Sequence, residues 1–376
     1  MSPVLFRELK TSNNRKIAIA ELHAPQSLNA LSLSMIELLL KQLYAWQSDD
    51  EIAMVLLQGA GDKAFCAGGD VVSLYQALKS ERVDGETVEH APVIISDQVI
   101  VDSLAMKFFS TEYQLDQLIH QFTKPILVWG DGYIIGGGMG LFAGASHRVV
   151  TERSLLAMPE ITIGLYPDVG ASWFLNKVPQ NIGLFLAMTG AMFNASDAKY
   201  IGLADVIVNS ADQQEILARL QTVTWQDEQS NADLLSQVLT EFSENSGVEL
   251  VSKLQQNEAL ISDLTSYNNA IDVYQAIIKA NFQDKWLKSA QNKLRAGSPL
   301  SALLIFKQLA LCKNLSLAEC FSHELNLSLR CCQFPEFSEG VRALLVDKDK
   351  NPIWRYENIT EIPDSTLDWF FTAITS

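Results

Sequence analysis

The chain has 376 residues, of which 48% are hydrophobic and 19% charged, and its formal net charge is −16. The apolar fraction is enough for a large buried core, and the length suits one large domain or a domain with a substantial extension. The acidic balance weighs against nucleic acid or an anionic membrane surface as a partner, because binders of either normally carry a basic face. An anionic small molecule stays compatible with it, since surface charge is screened within about 8 Å at physiological salt.

Cysteine usage and apolar runs bear on the compartment. The five cysteines are an odd number and Cys331 and Cys332 are adjacent, which argues for a reducing compartment and against a disulfide framework. No run approaches the roughly 18 apolar residues of a membrane-spanning helix, and the N-terminus lacks the features of a secretory signal. We therefore predict a cytoplasmic protein. No cysteine and histidine spacing predicts a metal site.

Strands and helices alternate in the first half of the chain. Strands are predicted at residues 17–22, 54–58, 125–129 and 148–151, with a helix at 32–46 between the first two. A glycine triplet at 136–138 opens a second helix at 139–145, which places free amides and the positive end of a helix dipole at the exit of a strand. This alternation predicts an α/β core.

The pattern becomes helical beyond about residue 208. The tail adds one β-like stretch, residues 343–346. We therefore predict an α/β core over residues 1–208 and a mainly helical C-terminal region, 209–376, that packs on the core. The helices predicted in this region are 213–219, 232–242, 247–254, 269–291, 300–311 (begun by Ser298 and Pro299) and 317–329.

Two carboxylates flank a short and mostly apolar segment in the middle of the chain. Glu160 follows Met158-Pro159, and Asp168 lies between Pro167 and Val169-Gly170. Such a setting desolvates carboxyl groups, separates their pKa values and suits them to acid, base or nucleophile roles. The pair is a candidate catalytic site.

Two glycine-containing turns are candidates for the rest of the site. One is Ala67-Gly68-Gly69-Asp70, and the other is the triplet at 136–138. Glycine amides approach a ligand closely because no Cβ intervenes, and an oxyanion hole is usually assembled from donors on separate segments. Either turn alone is more simply a tight packing turn. Together with the carboxylates, they indicate chemistry on a carbonyl group that develops negative charge.

The order of these motifs resembles the enoyl-CoA hydratase/isomerase (crotonase) superfamily. The resemblance begins at His23-Ala24-Pro25-Gln26-Ser27-Leu28-Asn29-Ala30-Leu31 and continues through both glycine turns and both carboxylate motifs. Within the superfamily, the chain is similar to the 3-hydroxyisobutyryl-CoA hydrolases. The similarity lies in Thr111-Glu112-Tyr113, in Pro167-Asp168-Val169-Gly170 and in a tail motif from Glu339 to Asp349.

The resemblance implies a fold and a reaction. The fold would be a crotonase-like ββα spiral core followed by the helical C-terminal region. The reaction would be hydrolysis of a 3-hydroxyacyl-CoA thioester, 3-hydroxyisobutyryl-CoA, in valine degradation. Coenzyme A would contact Ala67 and Gly69. Because coenzyme A is part of the substrate, no separate cofactor is implied.

The resemblance also implies roles for single residues. The amides of Gly69 and Gly137 would form the oxyanion hole for the thioester carbonyl. Glu160 and Asp168 would be catalytic, and Glu112 would bind the substrate together with Gly137 and the two catalytic carboxylates. Whether Glu160 acts as nucleophile or general base is left open.

Two positions depart from the superfamily pattern. Hydratases carry a glutamate two residues after the glycine triplet, where this chain has Gly140, so one of the two carboxylates that hold water in a hydratase is missing. Gln26 stands where the superfamily often has a basic residue near the coenzyme A phosphates. Gly140 argues against the first alternative, enoyl-CoA hydratase or isomerase activity. The second alternative is a catalytically silent acyl-CoA-binding protein on the same fold. The sequence does not define the oligomeric state, and a homo-oligomer is left open.

Overall fold

The computed structural model describes residues 2–81 and 95–374. The chain forms two compact units, each assembled from separate stretches of sequence. The first unit contains Met1–Gly69, Gln114–Leu156 and Phe193–Gln256, and the second contains Asp70–Tyr113, Ala157–Met192 and Asn257–Ser376. The predicted division of the chain at residue 208 stays a prediction.

The strands form two sheets. In chain order they are β1 (Val4–Lys10), β2 (Lys16–Leu22), β3 (Ile52–Gly59), β4 (Ala64–Cys66), β5 (Ile126–Gly130), β6 (Tyr133–Ile135), β7 (His147–Thr151), β8 (Leu155–Ala157), β9 (Phe193–Asn194) and β10 (Val206–Val208).

The six-stranded sheet has the order β1-β2-β3-β5-β7-β10, and the smaller sheet has the order β4-β6-β8-β9. In the larger sheet β1 is antiparallel to β2, while β2, β3, β5, β7 and β10 run parallel. A parallel strand covered on both faces is a continuous apolar run, as in Ile-Ala-Met-Val-Leu-Leu of β3. The four predicted strands are present, which confirms the α/β core.

The helices are distributed along the whole chain. In chain order they are α1 (Leu33–Ser48), α2 (Val71–Glu81), α3 (Asp97–Val101), α4 (Leu104–His120), α5 (Gly137–Gly144), α6 (Ala171–Phe174), α7 (Ile182–Thr189), α8 (Ala195–Tyr200), α9 (Gln213–Thr222), α10 (Glu228–Asn245), α11 (Lys253–Gln256), α12 (Glu258–Leu264), α13 (Ala270–Lys279), α14 (Lys285–Ala296), α15 (Pro299–Cys312), α16 (Leu317–Gln333), α17 (Pro335–Val341) and α18 (Asp364–Phe370).

Capping residues set several of these boundaries. The Ser32 side chain accepts from Met35 N at the start of α1. Ser298 caps α15 with proline at the first turn, as predicted. The single helix predicted over 269–291 is instead α13 and α14. Asp284 interrupts it, because its side chain accepts from two backbone amides and begins α14 as an N-cap.

Two other predictions of secondary structure are wrong. In the segment 247–254 only Lys253 and Leu254 are helical. Gly247 adopts a left-handed φ of +61°, so no α-helix begins there. The β-like stretch at 343–346 belongs to a π-helix, Arg342–Val346. A short apolar run does not distinguish strand from helix, and here ion pairs from Arg342 to Glu339 and Asp347 hold the helical turn.

The five cysteines are buried thiols. Across residues 2–81 and 95–374, no helix is long and apolar enough to cross a membrane. In the same ranges no group of three or more acidic, histidine or cysteine side chains is arranged to hold a metal ion.

Candidate active site

The two glycine turns of the first unit lie against each other. Gly138, the second residue of α5, approaches the end of β4 so closely that a Cβ there would lie 2.3 Å from Cys66 O. Gly136 precedes the helix with φ of +53°, a conformation that favours glycine. This close approach brings the start of α5 next to the turn at 67–69.

Gly137 lies where its backbone amide can donate a hydrogen bond to a ligand, and Gly69 lies in a turn that the preceding loop restrains. Gly137 is the first residue of α5, and the first amides of a helix have no acceptor within it and lie at its positive dipole end. Gly69 forms an isolated parallel bridge with Leu31, whose amide donates to Gly68 O at 2.8 Å. The turn at 67–69 is therefore held in place by the loop that precedes α1.

Asn29 holds that loop. Its side chain donates to Ala60 O and Ala64 O, both at 2.9 Å, and accepts from Ala24 N at 3.0 Å. Its φ is +56°, in the left-handed region that asparagine tolerates better than most residues. The asparagine of the 23–31 motif therefore joins the loop to β4, the strand that leads into the 67–69 turn.

A cavity of about 290 Å³ opens beside this loop in the first unit. Gln26, Asn29 and Lys63 are among the residues that line it. Gln26 stands where the superfamily often has a basic residue. Lys63 supplies a positive charge in the same cavity.

Three carboxyl groups cluster in the second unit. Glu112 lies on α4, Glu160 begins the 3₁₀ turn Glu160–Ile163, and Asp168 precedes α6. Their exposed fractions are 2%, 5% and 5%. Glu112 Oε1 and Glu160 Oε2 have no hydrogen-bond partner among the described residues. Buried polar atoms are ordinarily paired, so these two oxygens mark a place where a polar ligand can bind.

Burial changes the acidity of all three groups, and the negative charge of Asp168 adds to the effect on the other two. Burial raises the pKa of Glu112 and of Glu160 well above the ordinary value, and in each case the negative charge of Asp168 raises it further. Burial also raises the pKa of Asp168, to about 6. Because like charges in a desolvated cluster oppose one another's ionisation, the three groups do not all ionise together near neutral pH.

Asp168 is bound by a chain of hydroxyl groups to which the sequence analysis assigned no role. Tyr113 donates to Asp168 Oδ2 at 2.6 Å and shares a 2.7 Å hydrogen bond with Ser328. Ser328 in turn shares a 2.9 Å hydrogen bond with the hydroxyl of Tyr166. The bond from Tyr113 lowers the pKa of Asp168 and so opposes the effect of burial.

The backbone that follows Asp168 is strained. Val169 has φ of +53° and Gly170 has φ of +85°. A β-branched residue in the left-handed region is a rare outlier, and such strain costs on the order of 1–3 kcal/mol. The carboxylate of Glu324 spans the bend, accepting from Gly170 N at 2.7 Å and Ser172 N at 2.9 Å.

Sequence reasoning missed Glu324, although a signal was present. In α16 the buried residues Phe321, Glu324 and Leu327 recur at intervals of three. A carboxylate on the apolar face of an amphipathic helix is unusual and indicates a specific buried partner.

Two glycines allow the turn that begins at Glu160 to contact α17. A Cβ on Gly164 would lie 2.5 Å from Glu336 O, and a Cβ on Gly340 would lie 2.4 Å from the carbonyl carbon of Ile163. The backbones therefore touch at both points. This contact explains why position 340, in the tail motif, is glycine.

The predicted site residues thus fall into two groups. Ala67, Gly69 and Gly137 lie in the first unit, while Glu112, Glu160 and Asp168 lie in the second. The buried residue Gly140 lies within α5. The catalytic and binding roles of these residues stay predictions.

The parallel sheet, the paired glycine turns and the buried carboxyl groups define a crotonase-type α/β protein. The sequence model of the family described as enoyl-CoA hydratase/isomerase matches residues 17–371, and the chain belongs to this family. A solved enoyl-CoA hydratase from Rhodobacter sphaeroides is 27% identical, with a TM-score of 0.80 over 100% of both chains. These findings confirm the predicted fold.

Curated relatives are similar over nearly the whole chain. The mitochondrial 3-hydroxyisobutyryl-CoA hydrolase of Xenopus tropicalis is 33% identical over 358 residues, which are 95% of this chain and 86% of the relative. The small ribosomal subunit protein mS47 of Neurospora crassa is 32% identical over 96% of this chain and 69% of its own. The resemblance to the 3-hydroxyisobutyryl-CoA hydrolases is confirmed.

The predicted cytoplasmic location is wrong by the same comparison. The hydrolases of Xenopus tropicalis, Xenopus laevis and Danio rerio are all named as mitochondrial proteins. Cysteine usage indicates a reducing environment, and this property does not distinguish the cytoplasm from other reducing compartments.

Proposed function

We propose that this chain hydrolyses the thioester of a 3-hydroxyacyl-CoA, and that its substrate is 3-hydroxyisobutyryl-CoA. The products are 3-hydroxyisobutyrate and coenzyme A, and the step belongs to valine degradation. The observation that carries the proposal is the buried cluster of Glu112, Glu160 and Asp168, in which two oxygens have no hydrogen-bond partner among the described residues. The hydrolase relative at 33% identity over 95% of the chain supports the same reaction.

Hydrolysis proceeds by addition to the thioester carbonyl carbon. As the new C–O bond forms, negative charge develops on the carbonyl oxygen, which accepts hydrogen bonds from the amides of Gly69 and Gly137. A donor of this kind contributes roughly 3 kcal/mol to transition-state stabilisation. The C–S bond then breaks, and coenzyme A leaves as a thiolate that takes up a proton.

Glu160 and Asp168 move the protons or form the first bond. Ionised Glu160 either accepts a proton from the attacking water or attacks the carbonyl carbon itself, giving an anhydride that water then hydrolyses. Its raised pKa makes it a stronger base than an exposed glutamate. Asp168 has a pKa of about 6, which suits it to hold a proton and pass it to the leaving sulfur.

Glu112 accounts for selection of a 3-hydroxyacyl group. Its buried Oε1 has no partner among the described residues, and a substrate hydroxyl can donate a hydrogen bond to it. A substrate without the hydroxyl leaves this oxygen desolvated and unpaired, which carries a free-energy cost.

Two alternatives lead to different outcomes. Hydratase activity needs a second carboxylate for the water, and Gly140 does not supply it two residues after the glycine triplet. A catalytically silent protein is the other alternative. One relative is named as a ribosomal subunit protein, and this name is the observation in its favour.

One experiment separates all three functions. The purified chain is incubated with 3-hydroxyisobutyryl-CoA and, separately, with an enoyl-CoA, while free thiol and enoyl absorbance are followed. A hydrolase releases thiol, a hydratase changes only the absorbance, and a binding protein does neither. The wild-type chain incubated without a thioester serves as the blank for slow reaction of the five buried cysteines. Thiol release in the presence of the thioester no faster than in this blank would overturn the proposal.

A further inference from the structure

The structure assigns to Glu324 the role of a positioning residue: it holds the backbone bend that places the Asp168 carboxylate. This inference rests on the proposed function, because it gives Glu324 a role only in the reaction that Asp168 serves. Glu324 acts through Asp168 and is therefore not a catalytic residue.

The contact of Glu324 with the bend is bidentate. Its Oε2 accepts from Gly170 N at 2.7 Å and its Oε1 from Ser172 N at 2.9 Å. Glu324 is 0% exposed, so water does not replace either bond. The two bonds connect the segment directly after Asp168 to α16.

The bend needs such a restraint because its backbone is strained. Val169 and Gly170 are consecutive residues with positive φ, +53° and +85°. A strained conformation persists only where its surroundings determine it fully. If the two bonds are lost, Val169 can return to an ordinary negative φ, and the carboxylate of Asp168 is displaced.

The same helix also restrains the side chain of Asp168. Ser328 lies one turn after Glu324 on α16 and shares a hydrogen bond of 2.7 Å with Tyr113, the residue that donates to Asp168. Tyr166, just before the bend, donates to the backbone carbonyl of Glu324 at 2.7 Å. One helix therefore restrains Asp168 through both its backbone and its hydrogen-bond donor.

The geometry identifies the substitution that tests the inference. Glu324→Gln keeps the size of the side chain, but its NH₂ group then faces one of two backbone donors and cannot accept from it. Glu324→Asp keeps a carboxyl group with both oxygens on a shorter stem. Glu319→Gln is the matched control, because Glu319 lies near the exposed start of the same helix and bonds Ser316.

We expect Glu324→Gln to lower kcat for thiol release by roughly 10- to 100-fold, since displacing a catalytic group by about 1 Å costs up to about 100-fold. KM should change by less than about threefold, because binding of the substrate is retained. Glu324→Asp should lie between wild type and Glu324→Gln, and Glu319→Gln should keep the wild-type kcat. Circular dichroism verifies that every variant is folded.

A double variant tests whether Glu324 acts through Asp168. If it does, Asp168→Asn combined with Glu324→Gln should be no slower than Asp168→Asn alone, because residues that act as a unit are not additive. Multiplication of the two losses, or a wild-type kcat in Glu324→Gln, would overturn the inference and leave the proposed function standing. A wild-type kcat in Asp168→Asn would instead reject the role of Asp168 in the proposed function, and the inference with it. If Glu324→Gln does not fold, Glu324→Asp is measured in its place, alone and with Asp168→Asn, and the same outcomes decide.

Discussion

The hydroxyl of Tyr113 donates a 2.6 Å hydrogen bond to Asp168 Oδ2, and both residues are almost completely buried. Burial alone favours the neutral acid, whereas a hydroxyl donating to the carboxylate favours the ionised form. Burial has the larger effect and raises the pKa of Asp168 to about 6, while the bond from Tyr113 limits that rise. Tyr113 therefore increases the fraction of Asp168 that is ionised near neutral pH.

Removing this donor should shift the pH dependence of the reaction. In Tyr113→Phe the pKa of Asp168 rises further above its ordinary value, so the protonated acid that gives its proton to the leaving sulfur persists to a higher pH than in wild type. Measuring kcat between about pH 5 and 9 locates the alkaline limb of the profile, which should move to higher pH. Tyr166→Phe is the control, because its hydroxyl bonds Ser328 and Glu324 O. An alkaline limb that does not move would show that Tyr113 does not adjust Asp168.

The two candidate catalytic carboxylates should affect kcat rather than binding. Glu160→Gln and Asp168→Asn should each lower kcat by roughly 10²- to 10⁴-fold, the usual contribution of a positioned acid or base. KM should stay near the wild-type value, because the lost interactions form in the transition state. Glu336→Gln, a buried carboxylate bonded to Arg355 N, is the matched control. A variant that keeps more than about a tenth of wild-type kcat removes its residue from the chemical step.

The proposed oxyanion hole can be tested at a position where proline is tolerated. Gly137 is the first residue of α5, and proline at the first helical position removes an amide that has no partner within the helix. Gly137→Pro should lower kcat by about 10²- to 10³-fold, the usual effect of losing one oxyanion-hole donor. Gly137→Ala keeps the amide and should be milder. Equal kcat near the wild-type value in both variants would exclude this amide as a donor.

Substrate selectivity should depend on Glu112. Glu112→Ala should slow turnover of 3-hydroxyisobutyryl-CoA far more than that of isobutyryl-CoA, because only the first ester has a hydroxyl that can donate a hydrogen bond to the carboxyl group. Sites built around such a bond discriminate by up to about 10⁴- to 10⁵-fold. The measurement is kcat/KM for both esters in wild type, Glu112→Ala and Glu112→Gln, which keeps an acceptor. An unchanged ratio in Glu112→Ala would exclude recognition of the hydroxyl by Glu112.

Glu324 should also make stability depend on pH. Burial raises its pKa from 4.5 to about 8, so between these values the folded state holds a proton that the unfolded state has lost. The contribution of Glu324 to the free energy of unfolding therefore rises as the pH falls from about 8 toward 4.5. Urea denaturation at several pH values gives the free energy of unfolding of wild type and of Glu324→Gln. The difference between the two should increase as the pH falls over this range. A difference that stays constant with pH would contradict the prediction.

Local features of the fold could be predicted from the sequence, and its long-range contacts could not. Ser298 caps α15 as predicted because capping depends on neighbouring residues. The prolines and apolar residues beside Glu160 and Asp168 correctly indicated desolvation. The bond between Asp168 and Tyr113 joins residues 55 positions apart, and those from Glu324 span more than 150. No local pattern specifies contacts of this kind.

The backbone contact of Gly164 and Gly340 with their partners has a consequence for how this protein can change. The stretch from Glu160 to Asp168 contacts α17 at Ile163 and Gly164 and bonds α16 through Tyr166, so its length works as a fixed spacer between the two carboxylates. Inserting or deleting a residue there would break one anchor. New acyl-chain preferences are therefore accessible to this protein through exchange of side chains around the cluster. A change in the length of this loop is not, because it would displace one of the carboxylates.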